Sequence, residues 1–337
     1  MFMRLRTIAA FAALMTVTCT PPDDAAMAAS DDAGKPLRQL TVKLDYTPIW
    51  GFMLPIIVAE SKGYYRDVGL QVDINEGSDS TSTIGAVDGG HADIGFADAG
   101  QAALAISKGA KVKIIASYLQ KTQGVVISYA ALGIKKPSDL KGKTVALTNG
   151  SSSASLLLAM LALSNVPLDE IQTKAIASAA KVPALLQGQV QAVTGFATAE
   201  CIQAQMLAKE AVSCLPMGNF GVTALGESLI ASDSLIASDP QLLKKFVQAT
   251  NRGWADALKD PAAAAEAGVA MFPLANVNLL RKQLGAVVPY LHTAATAGKP
   301  PGYMADSDWV QTLGFLRKYR SMKSTAPTSS FYLNVLE

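Results

Sequence analysis

The sequence predicts an α/β protein built as two doubly wound lobes around a cleft, and three observations predict it. Strand-like and helix-like segments alternate along most of the 337 residues. Alternation of this kind indicates parallel sheets with crossover helices. A weak internal repeat is present: Thr41-Val42-Lys43-Leu44 is echoed by Thr144-Val145-Ala146-Leu147, and Gly95-Phe96-Ala97 by Gly195-Phe196-Ala197. Both echoes fall in the same order at nearly equal offsets, which favours two similar lobes. The length is also too great for one ordinary core and suits two domains of about 150 residues.

The elements follow in order. Residues 40–45 read as a strand, 54–62 as a helix ending at Gly63, and 71–75 as an alternating strand. Residues 81–87 are helical up to Gly89-Gly90, followed by a strand over 92–96, a helix over 101–107 and a strand over 113–117. Turn-rich stretches near 128–136 and 218–226 mark two crossings between lobes. They place lobe 1 at 38–130 and 224–337, and lobe 2 at 131–223. Residues 228–232 read as a strand returning to the first sheet, and the remainder as helices over 242–257, 262–271, 278–287 and 307–317. In open parallel sheets ligands bind beyond the carboxyl ends of the strands. The cleft is therefore expected at the loops 45–52, 77–81, 97–101, 149–153 and 196–200.

The amino end reads as an export signal. Arg4 and Arg6 precede an apolar run over 8–17 and the small-x-small site Ala26-Met27-Ala28. The run is near ten residues, about half of what spans a bilayer. Residues 1–28 are expected to be a signal peptide and 29–37 a flexible tether, giving a periplasmic protein. Cys19 is the alternative, as a lipid attachment point. Export permits disulfides. Cys201 and Cys214 flank an expected helix over 203–211, so either a bridge or two buried free thiols fits.

Composition narrows the chemistry. Half of the residues are apolar, 17% are charged and the net charge is +2. That is neither a disordered chain nor a nucleic-acid binder. Two histidines and three cysteines leave little material for metal or nucleophile chemistry. No P-loop, H-E-x-x-H or G-x-S-x-G occurs. No catalytic residue, cofactor or metal is expected.

Several motifs carry a resemblance. Leu44-Asp45-Tyr46-Thr47-Pro48, Val58-Ala59-Glu60-Ser61-Lys62-Gly63-Tyr64-Tyr65, Gly89-Gly90-His91-Ala92-Asp93-Ile94-Gly95-Phe96 and Leu140-Lys141-Gly142-Lys143-Thr144-Val145 resemble the thiamine-pyrimidine-precursor and sulfonate group of periplasmic solute-binding proteins (NMT1/THI5-like, SsuA-like). The resemblance covers about residues 38–320. It implies a type II periplasmic-binding-protein fold, closure around one small ligand, and a monomer docking to the permease and ATPase of an ABC importer. Pyrimidine-binding members carry Asp-Trp-x-Pro-Asn where this chain has Asp45-Tyr46-Thr47-Pro48-Ile49, so the aromatic is kept and the Asn is lost.

The candidate ligand-binding residues come from the expected cleft. Tyr46 at a strand end and Trp50 beyond it offer flat faces to a planar ligand; otherwise they cap the core. The loops containing Ser80, Thr81, Asn149, Ser151 and Ser152 precede helices, so they cap those helices or present N–H groups to an acceptor. Asp45, Asp98 and Glu200 are the expected carboxylates. Glu200 is either an acceptor for ring N–H or amino groups or a solvated helix-start residue. Phe196, Tyr118 and Phe220 are further candidate rings. No arginine lies in these loops, which disfavours an oxyanion.

These residues favour a neutral or weakly cationic planar ligand, a pyrimidine-like nitrogen heterocycle or an aromatic compound. The alternative within the group is an alkanesulfonate, taurine, nitrate or aromatic carboxylate. A ligand-sensing domain and a pyrimidine-biosynthetic enzyme are the alternatives of other classes. The relatives that make the pyrimidine use a histidine and a cysteine-rich motif, and here His91 and His292 are far apart and no clustered cysteines occur.

Overall fold

The computed structural model describes residues 36–337. The expected export signal, Cys19 and most of the expected tether lie outside the described residues.

The chain opens the first lobe with β1 (Arg38–Lys43), α1 (Leu54–Ser61), β2 (Leu70–Asn75), α2 (Ser80–Asp88), β3 (Ile94–Asp98), α3 (Ala99–Ile106) and β4 (Val112–Ser117). It then builds the second lobe from β5 (Gly124–Tyr129), β6 (Thr144–Leu147), α4 (Ser152–Leu163), β7 (Gln172–Ala175), α5 (Lys181–Leu186), β8 (Ala192–Phe196), α6 (Glu200–Leu207) and β9 (Val212–Pro216). It returns through β10 (Glu227–Ser232), followed by α7 (Asp233–Ser238), α8 (Pro240–Lys259), α9 (Pro261–Met271), α10 (Val277–Gly285) and α11 (Asp306–Tyr319).

The two sheets have the orders β2-β1-β3-β10-β4 and β7-β6-β8-β5-β9. They are the same arrangement. In each, the fourth strand is antiparallel to its neighbours and arrives directly from the other lobe: β10 in the first sheet, β5 in the second. The echoed segments occupy matching positions, β1 with β6 and β3 with β8. The repeat in the sequence is therefore a repeat of sheet positions. Strands β3 and β8 are buried along their whole length, as parallel strands covered on both faces are.

Because β5 pairs with β8 and β9, the first crossing falls at 118–123 and not at the expected boundary of 130. The turn-rich stretch at 128–136 joins β5 to β6 inside the second lobe. The second crossing runs through 217–226. The helix expected between the cysteines starts earlier, so Cys201 lies in the first turn of α6 and Cys214 in β9. The two are joined as a disulfide, with Cα atoms 6.1 Å apart.

The helices after β10 bury the first sheet. α1 lies so close to α8 that a Cβ at Gly253 would run into the Pro55 carbonyl. Trp254 and Trp309 are fully enclosed. Single bridges from Gly302 to Ser117 and from Tyr332 to Ile114 cover the free edge of β4, which otherwise invites strand addition. No helix among the described residues is long and apolar enough to cross a membrane.

Candidate functional site

The carboxyl ends of β1 and β3 and the start of β10 converge on one edge of the first sheet. β10 runs antiparallel, and its register sets Glu227 directly opposite Asp98. Residues opposed in this way share a face. Asp45, two residues beyond β1, joins them. Asp45 and Glu227 are completely buried and Asp98 is 6% exposed.

Three carboxyls in so little water repel one another and resist ionisation. Burial, then the nearby Asp98, pushes the Asp45 carboxyl up to about 8 despite a hydrogen bond from Ser80 Oγ to Oδ2 at 2.8 Å. Burial pushes Asp98 up to about 6, opposed by backbone N–H groups of α3, including Gln101 N to Oδ1 at 2.9 Å. Burial and the charge of Asp45 hold Glu227 well above the usual carboxylate range. The Asp45 and Glu227 carboxyls act on each other's protonation, yet Asp45 Oδ1 and both Glu227 oxygens lack a well-formed hydrogen bond.

Aromatic rings wall this cluster. Tyr46 meets Trp50 edge-on at 6.4 Å and, across the cleft, Phe196 at 6.0 Å between ring centroids. All three rings are buried. Tyr46 OH and Trp50 Nε1 have no hydrogen-bond partner, nor does Ser152 Oγ from the first turn of α4. Ser152 does lie close enough to the phenol to ease its ionisation, against burial and the carboxylates, which drive it strongly up. Buried polar atoms are nearly always hydrogen-bonded. Unpartnered acceptors and donors are thus concentrated beside aromatic faces at this edge.

The second lobe contributes a rigid wall. Lys181, at the start of α5, reaches Glu200 Oε1 at 2.8 Å and donates to the Thr194 carbonyl at 2.8 Å. Glu200 Oε2 accepts from Phe196 N at 2.9 Å. The pair is essentially inaccessible, with side chains 1% and 2% exposed. A side chain at Gly195 would collide with Glu200, so this glycine lets the carboxylate lie against β8. Glu200 is thus neither a solvated helix-start residue nor a free acceptor: both oxygens are held within the protein.

The lobes meet at several further places. Thr81 Oγ1 donates to the Gly150 carbonyl at 2.8 Å, and Gln101 Nε2 donates to the Ser151 carbonyl at 3.1 Å and to Ser155 Oγ at 2.6 Å. Gln283 of α10 accepts from Gly51 N at 3.0 Å and donates to the Ala199 carbonyl at 3.3 Å.

The expected residues therefore separate. Asp45, Tyr46, Trp50, Ser80, Asp98, Ser152 and Phe196 come together. Asp79 and Ser151 cap α2 and α4 through Ser82 N at 2.9 Å and Ala154 N at 3.3 Å. Thr81 spends its hydroxyl on the opposite lobe, and Asn149 is exposed in its loop. Tyr118 belongs to the first-lobe core: it stacks on Trp254 at 5.1 Å and donates to Asn251 Oδ1 at 2.9 Å. Phe220 is half-buried in the second crossing. Sequence reasoning missed Glu227, Lys181 and Gln283. Only Glu227 carried a signal, a carboxylate opening a strand placed in the first sheet. An arginine also approaches the cleft, from outside its loops: Arg320, just after α11, lies near Asp98.

Two five-stranded sheets of matched topology, with polar groups at their facing edges, define the periplasmic-binding-protein fold. The alkanesulfonate-binding protein SsuA from Xanthomonas axonopodis pv. citri superposes with a TM-score of 0.69 at 16% identity, covering 89% of this chain and 99% of that one. Residues 52–264 match the family described as NMT1/THI5 like, and the chain belongs to that family. Among its relatives, the riboflavin-binding protein RibY of Chloroflexus aurantiacus is 26% identical over 334 residues, 94% of this chain and 93% of RibY. The 4-amino-5-hydroxymethyl-2-methylpyrimidine phosphate synthase of Schizosaccharomyces pombe is 26% identical over 239 residues, 66% of this chain and 67% of the synthase.

Proposed function

We propose that this chain is the extracytoplasmic solute-binding protein of an ABC importer, and that it closes around a small planar nitrogen heterocycle. The carrying observation is the pair of enclosed carboxyls, Asp45 and Glu227, with unpartnered oxygens beside Tyr46, Trp50 and Phe196. Carboxyls accept N–H bonds, and aromatic faces supply flat contact area. Ring N–H and amino groups of a heterocycle satisfy both. An oxyanion in the same position is repelled by any of the three carboxyls that ionises in this water-poor site.

Two relatives support this ligand class by name. Riboflavin carries a fused pyrimidine ring, and the synthase acts in making an aminopyrimidine. Binding energy from both lobes drives closure, because only a ligand with unequal affinity for the open and closed forms shifts their equilibrium. The closed form is then presented to a permease and its ATPase.

A thermal-shift panel tests the proposal, with riboflavin, aminopyrimidines, alkanesulfonates and nitrate added to the exported protein. A true ligand at a hundred times its Kd stabilises by about 2.7 kcal/mol. Stabilisation by heterocycles supports the assignment. Stabilisation by sulfonates or nitrate alone overturns it, and slow conversion of the bound heterocycle, seen by mass spectrometry, replaces the carrier with an enzyme.

A further inference from the structure

The cleft leaves one cation near it unexplained. Arg320 follows α11, and its side chain is partly buried beside Asp98, Gln101 and Ser155. Its Nη1 is enclosed and has no hydrogen-bond partner. Among the described residues it forms no ion pair. Asp98 is near enough to help hold its charge but accepts from the amide N–H groups of α3. An enclosed guanidinium N–H without an acceptor is costly, so a further acceptor beside Arg320 Nη1 is favoured.

The space for one is present. Arg320 opens onto a groove of about 250 Å³ bordered by Thr81, Gln101 and Lys108 over an apolar floor of Ile84 and Leu104. Lys108, in the turn after α3, is exposed and makes no side-chain hydrogen bond or ion pair among the described residues. Two cations and no carboxylate line the groove, with Asp98 on the far side of Arg320, so the groove carries net positive charge. At about 30 Å³ per water, its volume exceeds a bare inorganic ion. The planar fork of an arginine matches the oxygens of phosphate, sulfonate or carboxylate, and a lysine adds a mobile point charge.

We propose that this groove is a second binding site, for a small organic oxyanion held by Arg320 and Lys108 with its carbon portion on Ile84 and Leu104. Arg320 adjoins the heterocycle site through Asp98, while the rest of the groove's lining is distinct from it, and the proposal stands whether or not that assignment holds. Thr81 and Gln101 border it while also reaching across to the second lobe, so its occupant lies on the seam between the lobes.

The test is calorimetric titration of the full exported protein with methyl phosphate and with methanesulfonate, at constant ionic strength set by sodium chloride. The expected result is saturable binding by the wild type, weakened at least about tenfold by Arg320→Gln, the loss of one charge-assisted hydrogen bond, and severalfold by Lys108→Gln. Stronger binding of one probe identifies the headgroup. Lys108→Gln alters an exposed side chain and keeps the test decisive if Arg320→Gln fails to fold. Absence of saturable binding, or wild-type affinity in Lys108→Gln and in any folded Arg320 variant, overturns the proposal. Heterocycle titration of Lys108→Gln is expected to be unchanged, which separates failure of this site from failure of the cleft assignment.

Discussion

Replacing Lys181 by methionine tests how the second-lobe wall is held and what Glu200 does. The substitution keeps the apolar stem and removes the ammonium. Glu200 is left with only the Phe196 N–H, and the Thr194 carbonyl loses its donor. The pair is nearly inaccessible, so solvent cannot take over. Breaking a buried pair from one side costs about 3–5 kcal/mol. At about 2 °C per kcal/mol for a large domain, Tm falls by roughly 6–10 °C. Glu200→Gln in the same background removes the stranded charge and keeps an acceptor for Phe196 N, so the double variant should recover about 2 kcal/mol, within the usual coupling range for touching residues. Urea unfolding of the four proteins measures the cycle, with the slope checked for constancy. A loss below about 1 kcal/mol for Lys181→Met, or strict additivity, refutes the reasoning. The same proteins report on ligand contact. Glu200→Gln should change heterocycle affinity by no more than about threefold, or 0.6 kcal/mol, because both Glu200 oxygens are already engaged.

Three further outcomes follow from the same geometry. Asp45 is held up to about 8 in the folded chain and lies near 4 when unfolded, so the folded form keeps a proton that the unfolded form releases. Stability of the ligand-free protein should therefore fall as pH rises from about 4 through 8, and Asp45→Asn should flatten the dependence; urea midpoints at several pH values that rise or stay level for the wild type contradict this. Removing the disulfide with Cys201→Ala and Cys214→Ala opens a closure of sequence separation 13 and should cost about 3 kcal/mol, read from the same unfolding curves, whereas an unchanged midpoint shows that the bridge contributes nothing. Gly253→Ala sets helix propensity, a gain of about 1 kcal/mol, against collision with the Pro55 carbonyl and Ala59; overpacking of 1–3 kcal/mol or more should win, and a raised Tm would show that α1 and α8 separate easily.

Much of the fold was legible because strand patterning is local. The runs that became β1 and β6 echo each other, as do those that became β3 and β8, and the return of β10 to the first sheet was readable as a run beyond the second crossing. The first crossing was misplaced because turn residues mark any loop: those at 128–136 close a connection within one lobe, while the true crossing at 118–123 carries few of them. Within the site, Asp45, Tyr46 and Phe196 were visible as residues at strand ends. Lys181 and Gln283 were not, because a lysine opening a short helix and a glutamine in a distant amphipathic one look solvent-facing; only the packing of α5 on β8 and of α10 on the first loop buries them. Tyr118 failed for the converse reason. It ends a strand as Tyr46 nearly does, but α8 offers it Trp254 and Asn251.

The most direct test of the central claim, that Asp45 and Glu227 accept the donors of a planar heterocycle, is calorimetric titration of wild type and Glu227→Gln with riboflavin and an aminopyrimidine. The expected result is saturable binding of at least one by the wild type and a loss of about 0.5–1.5 kcal/mol in the variant, roughly 2- to 13-fold, as for a hydrogen bond to a neutral carboxyl, with the fold retained. Equal affinity in the two proteins, or heat from an alkanesulfonate and from neither heterocycle, would contradict it.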